Sequence, residues 1–178
     1  MRFPSIGGAG GTAKVTAYGY GNESCKVTSW SSFGTDVYLN VACQTPAGVL
    51  ADTMFTATWH DSVGLLGTFT DSAMERGFVW ADQESSASYA PSSFYQYNSD
   101  GLTNTITRSA VGTYQVTLPS LGTTRGHPEV TSYGPSASTT RCKIRSWGSS
   151  GGNEVVNVLC FDASGAPADS RYVLTFVD

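Results

Sequence analysis

The sequence predicts an all-β protein: an antiparallel β-sandwich of immunoglobulin-like or jelly-roll-like type, built as a tandem repeat of a disulfide-closed unit. Three observations predict it. Runs of β-branched and aromatic residues bounded by Gly, Ser, Asn and Pro recur about every ten residues. Four cysteines fall into two equally spaced pairs, and the residues around one pair reappear around the other. Only 13% of the 178 residues are charged, about half the usual fraction of roughly 25%, so Gly, Ser, Thr and Tyr carry the polarity, as suits an extracellular β-protein.

The strands follow in order from alternation and turn residues. They are expected over 13–19, 24–30, 36–43, 53–59, 77–82, 94–98, 102–108, 112–118, 128–133, 141–147, 154–160 and 171–177. Ser99-Asp100-Gly101 between Tyr95-Gln96-Tyr97 and Thr103-Asn104-Thr105-Ile106 signals a hairpin, because Asp-Gly accepts the positive φ of a tight turn. The stretch 60–76 resists a strand reading; it reads as a linker with a short helical turn around Ser72-Ala73-Met74-Glu75.

The repeat is visible residue by residue. Phe3-Pro4-Ser5-Ile6-Gly7 returns as Leu118-Pro119-Ser120-Leu121-Gly122, and Val15-Thr16-Ala17-Tyr18-Gly19 as Val130-Thr131-Ser132-Tyr133-Gly134. Cys25-Lys26-Val27-Thr28-Ser29-Trp30 matches Cys142-Lys143-Ile144-Arg145-Ser146-Trp147, and Asn40-Val41-Ala42-Cys43 matches Asn157-Val158-Leu159-Cys160. Gly48 and Asp52 fall on Gly165 and Asp169. Residues 77–117 precede the second block and have no counterpart before the first. The expected organisation is a partial domain with linker over 1–76 and a complete domain over 77–178; the alternative joins both blocks and the middle segment in one pseudo-symmetric sandwich. A partial domain leaves strand edges exposed, which makes homo-oligomerisation through those edges an expected association.

The spacing pairs Cys25 with Cys43 and Cys142 with Cys160. A zinc site would need C-x-x-C spacing and accompanying histidines, which are absent. Trp30 and Trp147, each five residues after a cysteine, read as core residues near the disulfides, and Asp52 and Asp169 as turn-stabilising fold residues. Calcium at Asp162 and Asp169 is conceivable, but an Asx-type turn explains the acidic positions without a metal, and no cofactor is expected.

Charge and length exclude other classes. The net charge of −4 provides no basic field for nucleic acid, and no apolar run reaches the roughly 20 residues of a membrane helix. Met1-Arg2-Phe3-Pro4 does not open an apolar signal core, as in the mature part of an exported protein. Gly148-Ser149-Ser150-Gly151-Gly152 spells a G-x-S-x-G elbow, but it lies between two strands and reads as a hairpin loop. His60 and His127 read as surface residues, and Asn22-Glu23-Ser24 is a formal glycosylation sequon.

Aromatics carry the functional expectation. Tyr95 and Tyr97 share one strand face with Phe94 on the other; with Tyr89 and Tyr133 they make the candidate ligand-binding set, since neutral rings stack on the apolar faces of sugars and polymers. Tyr18 and Tyr20 are second choices. The expected function is a secreted, non-catalytic binding module for a surface glycan, polymer or protein. The alternatives are a secreted hydrolase with a site near His60 or His127, and an extracellular inhibitor or scaffold. Across Val130-Thr131-Ser132-Tyr133-Gly134, Cys142-Lys143-Ile144-Arg145-Ser146-Trp147 and Val158-Leu159-Cys160-Phe161-Asp162-Ala163-Ser164-Gly165 the chain resembles uncharacterised secreted β-repeat proteins of actinomycete type with a paired-Cys unit. That resemblance implies an extracellular compartment and supplies no catalytic residues to carry over.

Overall fold

The computed structural model describes residues 1–7, 11–18, 23–60 and 75–178. Among them there are fourteen strands and no helix: β1 (Arg2–Phe3), β2 (Thr12–Tyr18), β3 (Ser24–Phe33), β4 (Asp36–Gln44), β5 (Met54–His60), β6 (Arg76–Ala81), β7 (Ser88–Tyr89), β8 (Gln96–Asn98), β9 (Thr105–Ala110), β10 (Thr113–Leu118), β11 (His127–Tyr133), β12 (Arg141–Ser150), β13 (Asn153–Phe161) and β14 (Arg171–Val177). All twelve expected strands are present within a few residues; β1 and β7, two residues each, are too short to leave an alternating pattern. Nearly all of the expected linker, including Ser72, Ala73 and Met74 of its helical turn, lies outside the described residues, as do Tyr20 and Asn22.

The strands form a seven-stranded sheet ordered β1-β4-β3-β11-β14-β6-β8, a five-stranded sheet ordered β12-β13-β10-β9-β7, and a pair β2-β5. This order corrects the expected Ser99-Asp100-Gly101 hairpin. β8 pairs with β6, whereas β9 pairs with β10 and β7 in the other sheet. Gly101 does take a positive φ of 71°, with its amide on the Asn98 carbonyl at 2.9 Å. The turn ends a strand and does not pair its flanks, because Asn98 and Asn104 redirect the chain. Asn104, fully buried, donates to the carbonyls of Phe78 and Tyr97 and accepts from Asn98, tying the crossing segment beneath the first sheet. Local turn chemistry fixes the bend and leaves the choice of sheet to burial.

The surroundings of the two disulfides agree rung by rung. Cys25 lies opposite Cys43 and Cys142 opposite Cys160, each pair joined by a disulfide with Cα atoms 4.0 Å apart. Both β3 and β12 carry a bulge between the cysteine and the Trp, at Val27/Ser29 and at Ile144/Ser146. Val15 faces Ala57 as Val130 faces Leu174. Ser5 and Ser120 both sit in the left-handed region, at φ 62° and 61°. That conformation costs a residue with a Cβ, and in each case an Asx side chain opposite holds the serine amide: Asp36 Oδ1 at 3.1 Å and Asn153 Oδ1 at 3.2 Å. Gly11 and Gly126, at φ 78° and 79°, permit close packing that a Cβ would block, at 2.3 Å from the Trp59 ring and 2.8 Å from the Phe176 ring.

Two cores result. One is filled from both large sheets, with Val79, Ala81, Ile106, Tyr114, Val116, Leu118, Val156, Val158, Cys160, Tyr172, Leu174 and Phe176 all buried. The other is smaller and lies between β2-β5 and β1-β4-β3, around Ala13, Val15, Val27 and Leu39. Their meeting is a seam in which β2 is covered on both faces, since Thr12, Ala13, Lys14 and Val15 are all buried. β3 and β11 run parallel there and touch at a single pair, Val27 with Tyr133.

Candidate binding surfaces

The seam is built around an aromatic row. Tyr95 stacks on Trp80 (4.3 Å between centroids, 19° between planes), Trp80 meets Trp30 edge-on at 4.5 Å, and Trp30 meets Tyr133 edge-on at 5.3 Å. The row runs from β6 to β3 and on to β11, so that Trp80 and Trp30 meet across the seam. Such pairs contribute about 0.5–1.5 kcal/mol each beyond their burial. Trp80 also donates Nε1 to the Gly11 carbonyl at 2.6 Å. The corresponding carbonyl in the second unit, Gly126, accepts instead from Trp147 of its own unit at 3.2 Å. Trp80 has thus taken the place that Trp30 would fill, and Trp30 Nε1 is buried without a partner among the described residues.

The tryptophans therefore differ, which corrects the expectation that both are core residues. Trp30 is half-buried under Trp80 and Tyr133, whereas Trp147 is 50% exposed. Their own strands are alike; what differs is that Trp80 of β6 and Tyr133 of β11 pack over Trp30.

The four candidate tyrosines are not one site. Tyr95 and Tyr97 are half-buried on the outer side of β6, lying nearly flat on Trp80 and on Phe78, the latter pair at 6.1 Å and 22°. One face of each ring is used in the stack. Phe94 beside them is 64% exposed. Tyr133 belongs to the seam, and burial raises its phenol pKa. Tyr89 stands on the five-stranded sheet, packs against the larger core and accepts from the Gln83 amide at 3.2 Å; burial pushes its pKa up to about 12. The side chain of Tyr18 is not among those described.

Concave space lies beside the seam. A cleft of about 460 Å³ opens between β2-β5, presenting Lys14, Thr16, Thr56 and Thr58, and β11-β12, presenting Glu129, Thr131 and Lys143. A second, of about 280 Å³, continues it past Glu23 and Arg141 along both disulfides. An ion pair between Lys14 and Glu129 spans the gap. Hydroxyl and ammonium donors facing a carboxylate suit hydrogen bonding to a polar ligand. The sequence carried no signal for this cleft, since its walls are far apart in the chain.

Lys26, buried in the same seam, donates to the Ser138 carbonyl. Burial pushes its amine down to about 8 from 10.5. A base depressed in the folded state is held charged at a cost near neutral pH, and that cost disappears as pH rises through the folded value. Stability is accordingly expected to rise from pH 8 towards about 10, where tyrosine ionisation begins to oppose it. Urea unfolding of wild type and Lys26→Met across this window checks it: matching pH profiles would refute the assignment.

The acidic positions are occupied by the fold. Asp162 Oδ1 accepts from Ser164 Oγ at 2.6 Å and from the Ala166 amide at 3.0 Å, an Asx-type turn, and these donors lower its pKa. Asp169 accepts from Arg108 Nε at 2.9 Å and Nη2 at 2.8 Å, from the Gly112 amide at 2.9 Å and from Tyr114 Oη at 3.0 Å. Arg108 is the largest cause of its lowered pKa, and a guanidinium on both oxygens is at odds with a calcium ligand. Asp52 lacks β9 and β10 beside it and is exposed, so it does not share the fold role of Asp169.

Glu154 is a residue the sequence did not single out. It is wholly buried on the rung that Val37 occupies in the first unit, and burial raises its carboxyl pKa. The amides of Thr123 and Gly148 face it and partly offset that rise, without forming bonds of good geometry.

Gly148 to Ser150 continue β12, and Gly151 and Gly152, both at positive φ, turn it into β13, so the elbow-like string is a hairpin. The backbones of His60 and His127 end β5 and begin β11, paired with Thr12 and Val177; their side chains are not among those described. Among the described residues no group of three or more His, Cys, Asp or Glu is placed to hold a metal ion, and no helix is long and apolar enough to cross a membrane. Compared with known proteins, the chain matches no family model, no curated protein and no solved structure.

Proposed function

We propose that the protein is a secreted, non-catalytic binding module: a tandem repeat of disulfide-closed β-sandwich units that recognises a glycan, polymer or protein surface through aromatic rings. The observation that carries this reading is the pair of flat stacks, Tyr95 on Trp80 and Tyr97 on Phe78, along one side of β6 with Phe94 exposed beside them. A ring held flat on an inner ring has little rotamer freedom left to lose on binding, which favours a stacked ligand. The shared rungs and bulges of the two Cys units support the repeat, and the two disulfides suit an oxidising compartment.

Retention on insoluble polysaccharides and glycan arrays tests the reading. Tyr95→Ala and Tyr97→Ala are each expected to weaken binding about tenfold, equivalent to roughly 1.4 kcal/mol of ring stacking. Because those changes also remove an internal stack, Phe94→Ala serves as the variant that leaves both stacks intact. Retention unchanged in all three variants would remove the aromatic surface from consideration.

A further inference from the structure

We propose that β5 accepts an extended strand from another polypeptide chain, laid antiparallel along the edge that no strand of the described residues pairs, with small apolar residues at alternate positions. The proposal rests on the paired-unit architecture and not on the tyrosine surface.

The second unit shows what an edge of this kind takes. β14 is paired on both sides, with β11 along its whole length and with β6 through six residue pairs from Tyr172↔Ala81 to Val177↔Arg76. β5 stands on the same rungs beside β2 as β14 beside β11, but among the described residues β2 is its only strand partner.

Burial shows the same incompleteness. The inward residues of β14 are closed from solvent, Tyr172 and Leu174 at 0% exposure and Phe176 at 1%. Their rung counterparts on β5, Phe55, Ala57 and Trp59, are only half-buried. Across the sheet Cys160 is fully buried while Cys43 is not. The smaller core is thus open on the side where β6 and β10 close the larger one.

The edge itself lacks protection. Met54–His60 contains no proline and no Asp, Glu, Lys or Arg, the devices that ordinarily keep an edge strand from pairing. The chemistry of the occupant follows from β6. Its core-facing Gly77, Val79 and Ala81 are small because they sit beside the large Phe176, Leu174 and Tyr172, and a Cβ on Gly77 would already press on Leu121 at 3.1 Å. Trp59 and Phe55 are equally large at the two ends of β5, so the incoming strand needs small apolar residues opposite them. Main-chain hydrogen bonds would supply affinity and these alternate positions specificity.

The test uses the full chain and a labelled peptide of the β6 sequence, 75–82, followed by fluorescence anisotropy and by hydrogen exchange. Saturable binding is expected, with new amide protection over Met54–His60. A peptide with proline in place of Val79 should bind about tenfold more weakly or worse, because it loses a ladder donor. Absence of saturable binding overturns the proposal, as does equal affinity for the proline peptide. Protection confined to β14, meaning that the peptide displaced the native β6, also overturns it, and so does a dimer on sedimentation that closes β5 to the peptide. The polysaccharide assay does not read this edge and the peptide titration does not read Tyr95 or Tyr97, so either idea can fail alone.

Discussion

Replacing Phe176 by alanine is expected to cost about 3–5 kcal/mol, whereas Trp59→Ala, on the same rung of the other unit, should cost about half as much. Phe176 is 1% exposed, faces the larger core from β14 and packs against Gly126. Its removal leaves a cavity whose walls come from both large sheets and cannot collapse onto it. Trp59 is half-buried, and its Nε1 is enclosed without a partner among the described residues. Truncation there forfeits less buried area and relieves one unsatisfied donor, which offsets part of the loss. Urea denaturation of the two variants, compared at equal slopes, checks the order. A Trp59 variant as damaged as the Phe176 variant would mean that the smaller core is as closed as the larger one, against the burial pattern.

Loss of the second disulfide is expected to have the next largest effect. The paired change Cys142→Ala with Cys160→Ala should destabilise by about 3 kcal/mol from loop entropy, with more from packing. Cys25→Ala with Cys43→Ala should show the entropic part alone. Both bridges span a sequence separation of 18, so their constraint on the unfolded chain is equal. The difference lies in the folded state, where Cys160 is wholly enclosed by the larger core and Cys43 is partly open. Unfolding of both variants and of the reduced wild type would decide it. Equal losses for the two pairs would show that sulfur packing is negligible.

The tryptophans illustrate how a local signal and its tertiary outcome separate. A Trp five residues after a strand cysteine, beyond a bulge, occurs in both units with the same cross-strand position, Leu39 facing Trp30 and Val156 facing Trp147. From the sequence they are equivalent. Only the packing of β6 and β11 beside β3 gives Trp30 a cover of Trp80 and Tyr133, and Trp147 is left half in water. The aspartates separate for the same reason. Asp169 meets Arg108 and Tyr114 because β9 and β10 lie beside its turn, and Asp52 has no such strands next to it.

Features that depend on short range were legible in the chain alone: the all-β composition, the position of nearly every strand, the disulfide partners and the turns at Gly101, Gly151 and Gly165. Side-chain alternation, turn chemistry and cysteine spacing act over a few residues or across one hairpin, so they survive without knowledge of the fold. Tertiary structure alone decided which sheet each strand joins, that Tyr89 and Tyr133 stand apart from Tyr95 and Tyr97, and that a threonine-lined cleft lies beside the seam. It also decided that β5 keeps one edge unpaired among the described residues while β14 keeps none. These depend on burial between segments tens of residues apart, and burial is a property of surfaces that exist only once the sheets have packed.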